Sequence, residues 1–370
     1  MNTQKIMQFI RSKVFLVIIG CFTILALVPL FITDNFFLTL LTLIIIFSIY
    51  ASSWNLLASS GQGSLGHAVF LGIGGFASAI IGGTIATGLA SFMGVDRLPI
   101  GVLSVTIQVL VMVLGGLISA GIGLLIGLAC VRLKAWYLAM VTFGFSVIVE
   151  SISSQLDFLT HGIDGFAPAT LVPKGYPFYI LVTASALTSI MIMYLIMHKF
   201  RMGLAFRAIH GNEAEAKMIG INTAKYKLIA FVISTFFAGI AGSLYVFFIR
   251  YVDNSIFSAA NSFTPLIMAV IGGLGTVLGP IIGAVILIST QQALSLPAVS
   301  DALQSALGGF FPGVADVGPP ISLIIIGVVL VLIVIFMPKG VISLYDKVNP
   351  PKDKKTEKKQ KEKKPEENKQ

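Results

Sequence analysis

Residues 263–288 read FTPLIMAVIGGLGTVLGPIIGAVILI. No charge interrupts this stretch, and it exceeds the roughly 20 apolar residues that carry a helix across a bilayer core. Yet Gly272, Gly273, Gly275, Gly279 and Pro280 cluster in its middle. Glycine there weakens a helix entropically, and proline removes a ladder hydrogen bond. Whether the stretch crosses once or turns back decides on which side of a membrane everything after it lies.

The composition supplies the membrane. The chain has 370 residues, 56% hydrophobic and 11% charged, against about 25% charged in an ordinary soluble domain, so it reads as an integral membrane protein. Further apolar runs lie at 14–32, 36–57, 68–93, 100–131, 136–151, 178–197, 228–249 and 321–337. Lys5, Arg11 and Lys13 precede the first run. That run is too long for a signal peptide and no small-residue cleavage site follows it, so it reads as an uncleaved first span with residues 1–13 in the cytoplasm.

Parity then tests the count against the rule that Lys and Arg gather on the cytoplasmic side. Four crossings bring Arg132 and Lys134 inside, and six bring inside the segment that holds Lys199, Arg201, Arg207, Lys217, Lys225 and Lys227. The seventh leaves 250–262 outside. Nine of the 25 Lys and Arg residues follow Pro350, and that tail belongs inside as well. A single crossing at 263–288 followed by one at 321–337 would put the tail on the wrong side. The stretch is therefore expected to form two short helices or a re-entrant hairpin, which is tolerated at membrane depth where protein or a water-filled path covers the backbone.

The expected fold class is an all-α polytopic membrane protein with eight full crossings plus this broken pair, eight to ten transmembrane helices in all, and cytoplasmic N- and C-termini. Residues 14–341 form the transmembrane domain and 198–227 a cytoplasmic segment within it. Residues 342–370 form a Lys-rich tail, whose stretch after Pro350 has no aliphatic or aromatic side chain and so nothing with which to order itself. The net charge of +9 describes these surfaces. No basic patch is interleaved with aromatics, which argues against a nucleic-acid partner, and contact with membrane lipid is the plainer expectation. Cys21 and Cys130 lie apart in apolar runs and read as small hydrophobes.

Inside the spans, Gly115, Gly116, Ser119, Ala120, Gly123 and Gly127 recur at near four-residue spacing. This lets helix backbones approach closely in lipid. Residues 61–66, GQGSLG, match a dinucleotide fingerprint by letter, but apolar spans flank them and no acid follows until Asp96, so the nucleotide reading fails. A glycine-rich break that lines a cavity fits better, with Gln62 and Ser64 as candidates for the transport path. His67 has Phe70 and Leu71 at the positions where a zinc partner would stand. A helix-terminal hydrogen bond and a place near the transport path both remain open for it. Gly272, Gly273 and Gly275 complete the path candidates. Glu150 falls near the external end of its run, where water can solvate it. No nucleotide loop, metal-ligand spacing or catalytic triad signature is present. If ATP is used, another chain binds it, and no metal site is expected.

Residues 203–228, GLAFRAIHGNEAEAKMIGINTAKYKL, carry the remaining signal. Asn212 is a good N-cap, and Glu215 three positions on has the spacing of a capping box. Gly220 can take the left-handed conformation that stops a helix, so 213–219 should form about two turns, roughly 10 Å long. Asn222 can cap the next helix. A positive-inside loop needs charge alone, whereas a cap, a short helix and a stop suit a rigid element that transmits a push from a cytoplasmic partner.

The order from Arg207 through Asn212, Glu213, Ala216 and Gly220 to Asn222 resembles the cytoplasmic loop of LivM-type permeases of branched-chain amino acid ABC transporters. GQGSLGHAVFLGIGGF from Gly61, RLKAWYLAMVTFGF from Arg132 and AVIGGLGTVLGPIIGA from Ala269 resemble the same family, over about residues 38–341. The resemblance implies that these six residues belong to the loop that docks on the ATPase. It also implies a prokaryotic cell-membrane location and a complex of this chain with a second permease, either a paralogue or another copy. Two ATPase subunits carrying ATP and magnesium, and an external substrate-binding protein, would complete it. The chain itself would bind no cofactor and catalyse no reaction. The competing class, a secondary transporter or channel, would need intramembrane ionisable groups or ion-coordinating broken helices.

Overall fold

The computed structural model describes residues 20, 22–31, 34–93, 101–131, 133, 135–296, 299, 327–328 and 340–341. The expected N-terminus at 1–13 and tail at 342–370 lie outside the described residues, as do much of the first run and most of the run at 321–337.

The described residues form helices and no strand; their one β-type pairing is an isolated antiparallel bridge between Phe166 and Val252. A helical segment at 22–27 and a 3₁₀ turn at Val28–Leu30 lead into α1, Asn35–Ala58. There follow α2 (Ala68–Met93), α3 (Val102–Cys130), α4 (Ala135–Ser153) and α5 (Tyr176–His198). Three elements then close the charged segment: α6 (Arg201–Gly211), α7 (Glu213–Met218) and α8 (Thr223–Ile249). The broken stretch becomes α9, Ala259–Gly272, and α10, Gly279–Leu294. Among the described residues six helices, α1 to α5 and α8, are long and apolar enough to cross a membrane, while α9 and α10 are shorter.

The break in 263–288 is therefore observed. Gly273 and Gly275 take positive φ of 125° and 74°, a region that side chains with a Cβ resist, and the chain reverses so that α9 and α10 pack side by side. Their approach is backbone to backbone: a Cβ built on Gly283 would stand 1.8 Å from the Met268 carbonyl oxygen.

Helix α8 is the hub, packing on α1, α2 and α3. Lipid gives little hydrophobic drive for helices to associate, so contact must come from close backbones and interhelical hydrogen bonds. The small-residue stripe of α3 meets that need. Gly115, Gly116, Ser119, Ala120, Gly123 and Gly127 are all buried, and a Cβ on Gly239 of α8 would lie 3.0 Å from the Gly116 Cα. The Ser119 hydroxyl lies 2.9 Å from both the Phe70 carbonyl of α2 and the Thr235 carbonyl of α8. Such bonds average roughly 0.6 kcal/mol each in a membrane protein. The stripe is packing, as its spacing suggests.

By contrast, α4 stands at the edge. Trp136 and Met140 are 84% and 71% exposed, in keeping with a face turned to lipid or another subunit.

Candidate functional site

The charged segment folds as its punctuation dictates. The Asn212 Oδ1 accepts from the Ala214 and Glu215 amides at 3.0 and 3.4 Å, capping α7. Glu215 does reach back, but to the side-chain amide: Asn212 Nδ2 donates to its Oε1 at 2.7 Å, while the Asn212 backbone N–H is already bonded to the Ala208 carbonyl. The expected capping box is thus replaced by a side-chain pair. At the other end Gly220 has φ of 86°, its N–H donates to the Lys217 carbonyl, and the Ile221 N–H donates to that of Ala216. These two bonds make a Schellman stop. The helix ends at Met218 rather than residue 219, with Ile219 as its cap. Asn222 caps α8 through the Lys225 amide at 3.1 Å.

Glu213 then ties α7 to the membrane bundle. Its carboxylate pairs with Lys217 at 3.0 Å, contacts Lys227 Nζ, and accepts from the Thr223 hydroxyl at 3.2 Å. Lys227, in the first turns of α8, is 6% exposed, so Glu213 neutralises an ammonium that has left water. Partial burial pushes the Glu213 carboxyl up, but the hydrogen bonds and charges of Lys227 and Lys217 outweigh it and hold the pKa at about 2 against an ordinary 4.5. A carboxyl depressed in the folded state stabilises it fully above the unfolded value and loses that contribution as pH falls through the folded one. A carboxyl-carbon NMR titration of Glu213 in the full chain should accordingly show a midpoint near 2. A midpoint at the ordinary value would mean that the pair does not form.

From Lys227 the contacts continue into the first glycine break. Gln62 Nε2 donates to the Lys227 carbonyl at 2.9 Å and to the Ser60 hydroxyl at 3.0 Å. Gly61, with φ of 75°, lies against His210 of α6. Ser64 and His67 are fully buried. The Ser64 carbonyl accepts from Trp54 Nε1 at 2.7 Å, and His67 Nε2 is 3.1 Å from the Ser53 hydroxyl. His67 also stacks on Tyr50, and its Nδ1 has no hydrogen-bond partner among the described residues.

The second break hangs from the same helix. Asn55 of α1 is 1% exposed; its Oδ1 accepts from the Gly275 N–H and its Nδ2 donates to the Thr276 carbonyl, both at 2.8 Å. One buried amide is thereby satisfied by a backbone donor and an acceptor left free where the ladder is interrupted. Gly272 and Gly273 are buried beside it, and the Val341 N–H donates to the Ile271 carbonyl at 2.9 Å.

Adjacent residues of α1, Trp54 and Asn55, therefore each hold one glycine break, and Glu213, Lys227 and Gln62 join the first break to α7. Of the residues named from sequence, Asn212, Glu213, Ala216, Gly220 and Asn222 build one node; Gln62 joins it, and Ser64, His67, Gly272, Gly273 and Gly275 lie around α1. Arg207 stands apart on α6, exposed and making no ion pair among the described residues. Sequence reading missed Lys227, Trp54 and Asn55 as parts of this node. An amide within an otherwise apolar span was the available signal for Asn55, since intramembrane polar groups are seldom there without a partner.

Residues 36–334 match the family described as "Branched-chain amino acid transport system / permease component". The chain is 26% identical over 318 residues to the high-affinity branched-chain amino acid transport system permease protein LivM of Escherichia coli, covering 77% of this chain and 69% of that one. It is 28% identical over 213 residues to LivM of Salmonella typhimurium, 49% of each chain, so it spans about half the length of that relative. A probable LivM of Methanocaldococcus jannaschii is 24% identical over 295 residues, 78% of this chain and 81% of that one. No solved structure matches. With its multiple apolar helices and a match that runs through all of those described from α1 to α10, the chain belongs to the permease components of branched-chain amino acid transport systems.

Proposed function

We propose that this chain is the membrane subunit of an ATP-driven importer that moves branched-chain amino acids into a prokaryotic cell by alternating access. It works with a second permease subunit, two ATPase chains that hold ATP and magnesium, and an external binding protein. The observation that carries the mechanism is the unbroken set of contacts from α7 through Glu213 and Lys227 to Gln62. A short capped helix displaced by closure of the ATPases moves the start of α8, the central helix, and with it the glycine break. Asn55 holds the second break to the same end of α1. The resulting re-packing changes which side the path faces. Gln62, Ser64, His67 and the glycines at 272, 273 and 275 stand where the path would bend.

The same reading sets the orientation. The chain has eight full crossings with α9 and α10 as the broken pair, both termini and α6 to α7 cytoplasmic, and the 250–258 turn external. Lys and Arg at 199–227 support it. Single cysteines at Ile163 and Ser255, both exposed, should react with an impermeant thiol reagent added to intact cells. One at Ala214, equally exposed, should react only after the membrane is opened. Labelling of Ala214 from outside would reverse the topology. The functional reading is tested by purifying the chain from its native membrane: a P-loop ATPase and a second permease should accompany it, and a chain that transports without them would be a secondary carrier.

A further inference from the structure

Against α6 the structure leaves a cavity of ≈ 320 Å³ bordered by Ser59 at the end of α1, His198 at the end of α5, Arg207 and His210 of α6, and Leu274 and Gly275 of the second break. That is the lower end of the range for small-molecule sites. Among the described residues its ionisable lining groups are an arginine and two imidazoles, with no Asp or Glu. Among the described residues both ion pairs are made by Glu213, and Glu215 is bonded to Asn212, so no carboxylate of the charged segment neutralises Arg207. A guanidinium in a concave site, flanked by the His210 imidazole as a further potential donor and lacking a counter-charge, is an arrangement that binds oxyanions, because its planar fork matches two oxygens at once.

We propose that this cavity is an oxyanion site that takes a small carboxylate or a phosphate group, with its oxygens on Arg207 and the His210 imidazole beside them. Its walls belong to two parts of the mechanism, α6 from the charged segment and the Leu274–Gly275 turn from the second break, so an occupant ties one to the other. The ligand is either a free carboxylate in solution or the phosphate of an anionic lipid headgroup, and the chemistry of the site is the same for both.

Leu274 is 52% exposed and lines the cavity, which makes it a reporter. In the full-length chain with Cys21 and Cys130 replaced by alanine, Leu274→Cys is reconstituted in phosphatidylcholine vesicles and labelled with an uncharged maleimide. One arm adds sodium acetate against sodium chloride at equal ionic strength; the other replaces part of the lipid with phosphatidylglycerol. Slower labelling with acetate identifies a free carboxylate as the ligand, and slower labelling with phosphatidylglycerol identifies the headgroup. In either case Arg207→Gln should weaken the protection roughly tenfold, as loss of a charge-assisted hydrogen bond does, and Arg207→Lys should keep part of it. If neither arm slows labelling, or if Arg207→Gln leaves the protection unchanged, the cavity is not an oxyanion site.

Discussion

Gly272→Val is expected to abolish uptake and to lower the amount of chain in the membrane. A Cβ at this position would stand 1.7 Å from the Gly279 carbonyl oxygen and 2.3 Å from its carbonyl carbon. Both obstacles are backbone, so no side chain can swing aside, and α9 and α10 would have to separate. Inserting volume into a packed site ordinarily costs about 1–3 kcal/mol, and a clash with main chain exceeds that because relief requires moving a helix. The separation would also pull Gly275 and Thr276 off Asn55, leaving the buried Asn55 amide without partners. Gly121→Val serves as the control: it is helical, and a Cβ there meets nothing within 4 Å, so it should insert and transport normally. Uptake and membrane abundance are measured together for both; normal uptake in Gly272→Val would show that the hairpin is not packed as described.

The second large effect is expected at Glu213. Glu213→Lys sets three amines against one another at 213, 217 and 227 and leaves Lys227 buried with no counter-charge. Removing one partner of a buried pair costs about 3–5 kcal/mol, and the 39% exposure of the Glu213 side chain places this pair at or below the bottom of that range, since water and salt screen it. It also reverses a charge at a helix N-terminus, where the dipole favours an anion. The chain should still insert, because the spans do not depend on this contact, but solute-stimulated ATP hydrolysis by the assembled complex should be lost. Glu213→Gln should fall between the two, since its amide can still accept from Thr223 but cannot neutralise Lys227. Full stimulation in Glu213→Lys would remove Glu213 from the mechanism.

What the sequence disclosed was local. Asn212, Gly220 and Asn222 each act within a few residues of themselves, and a cap or a stop has a fixed spacing that can be read along the chain; α7 emerged one residue shorter than read. The glycines of 263–288 likewise announced a break, because parity required one. The partners of Asn55 and Gln62 were not legible: they lie 220 and 165 residues away, and nothing in an apolar run says which distant backbone an amide will meet. Lys227 was read only as positive-inside charge, since a lysine that pairs inward and one that faces water look the same in a list of residues. As a permease component the chain is a transport subunit and not an enzyme.

The central claim is that ATP hydrolysis on separate chains drives solute movement through this one by way of α7. The most direct test is uptake of labelled leucine by proteoliposomes that contain this chain with its partner permease and ATPases, with the binding protein on the opposite side, measured with and without ATP. The account predicts uptake that needs ATP and every one of these chains, and that Glu213→Lys uncouples while leaving the complex assembled. Uptake that proceeds at the same rate without ATP or without the ATPase chains would contradict it.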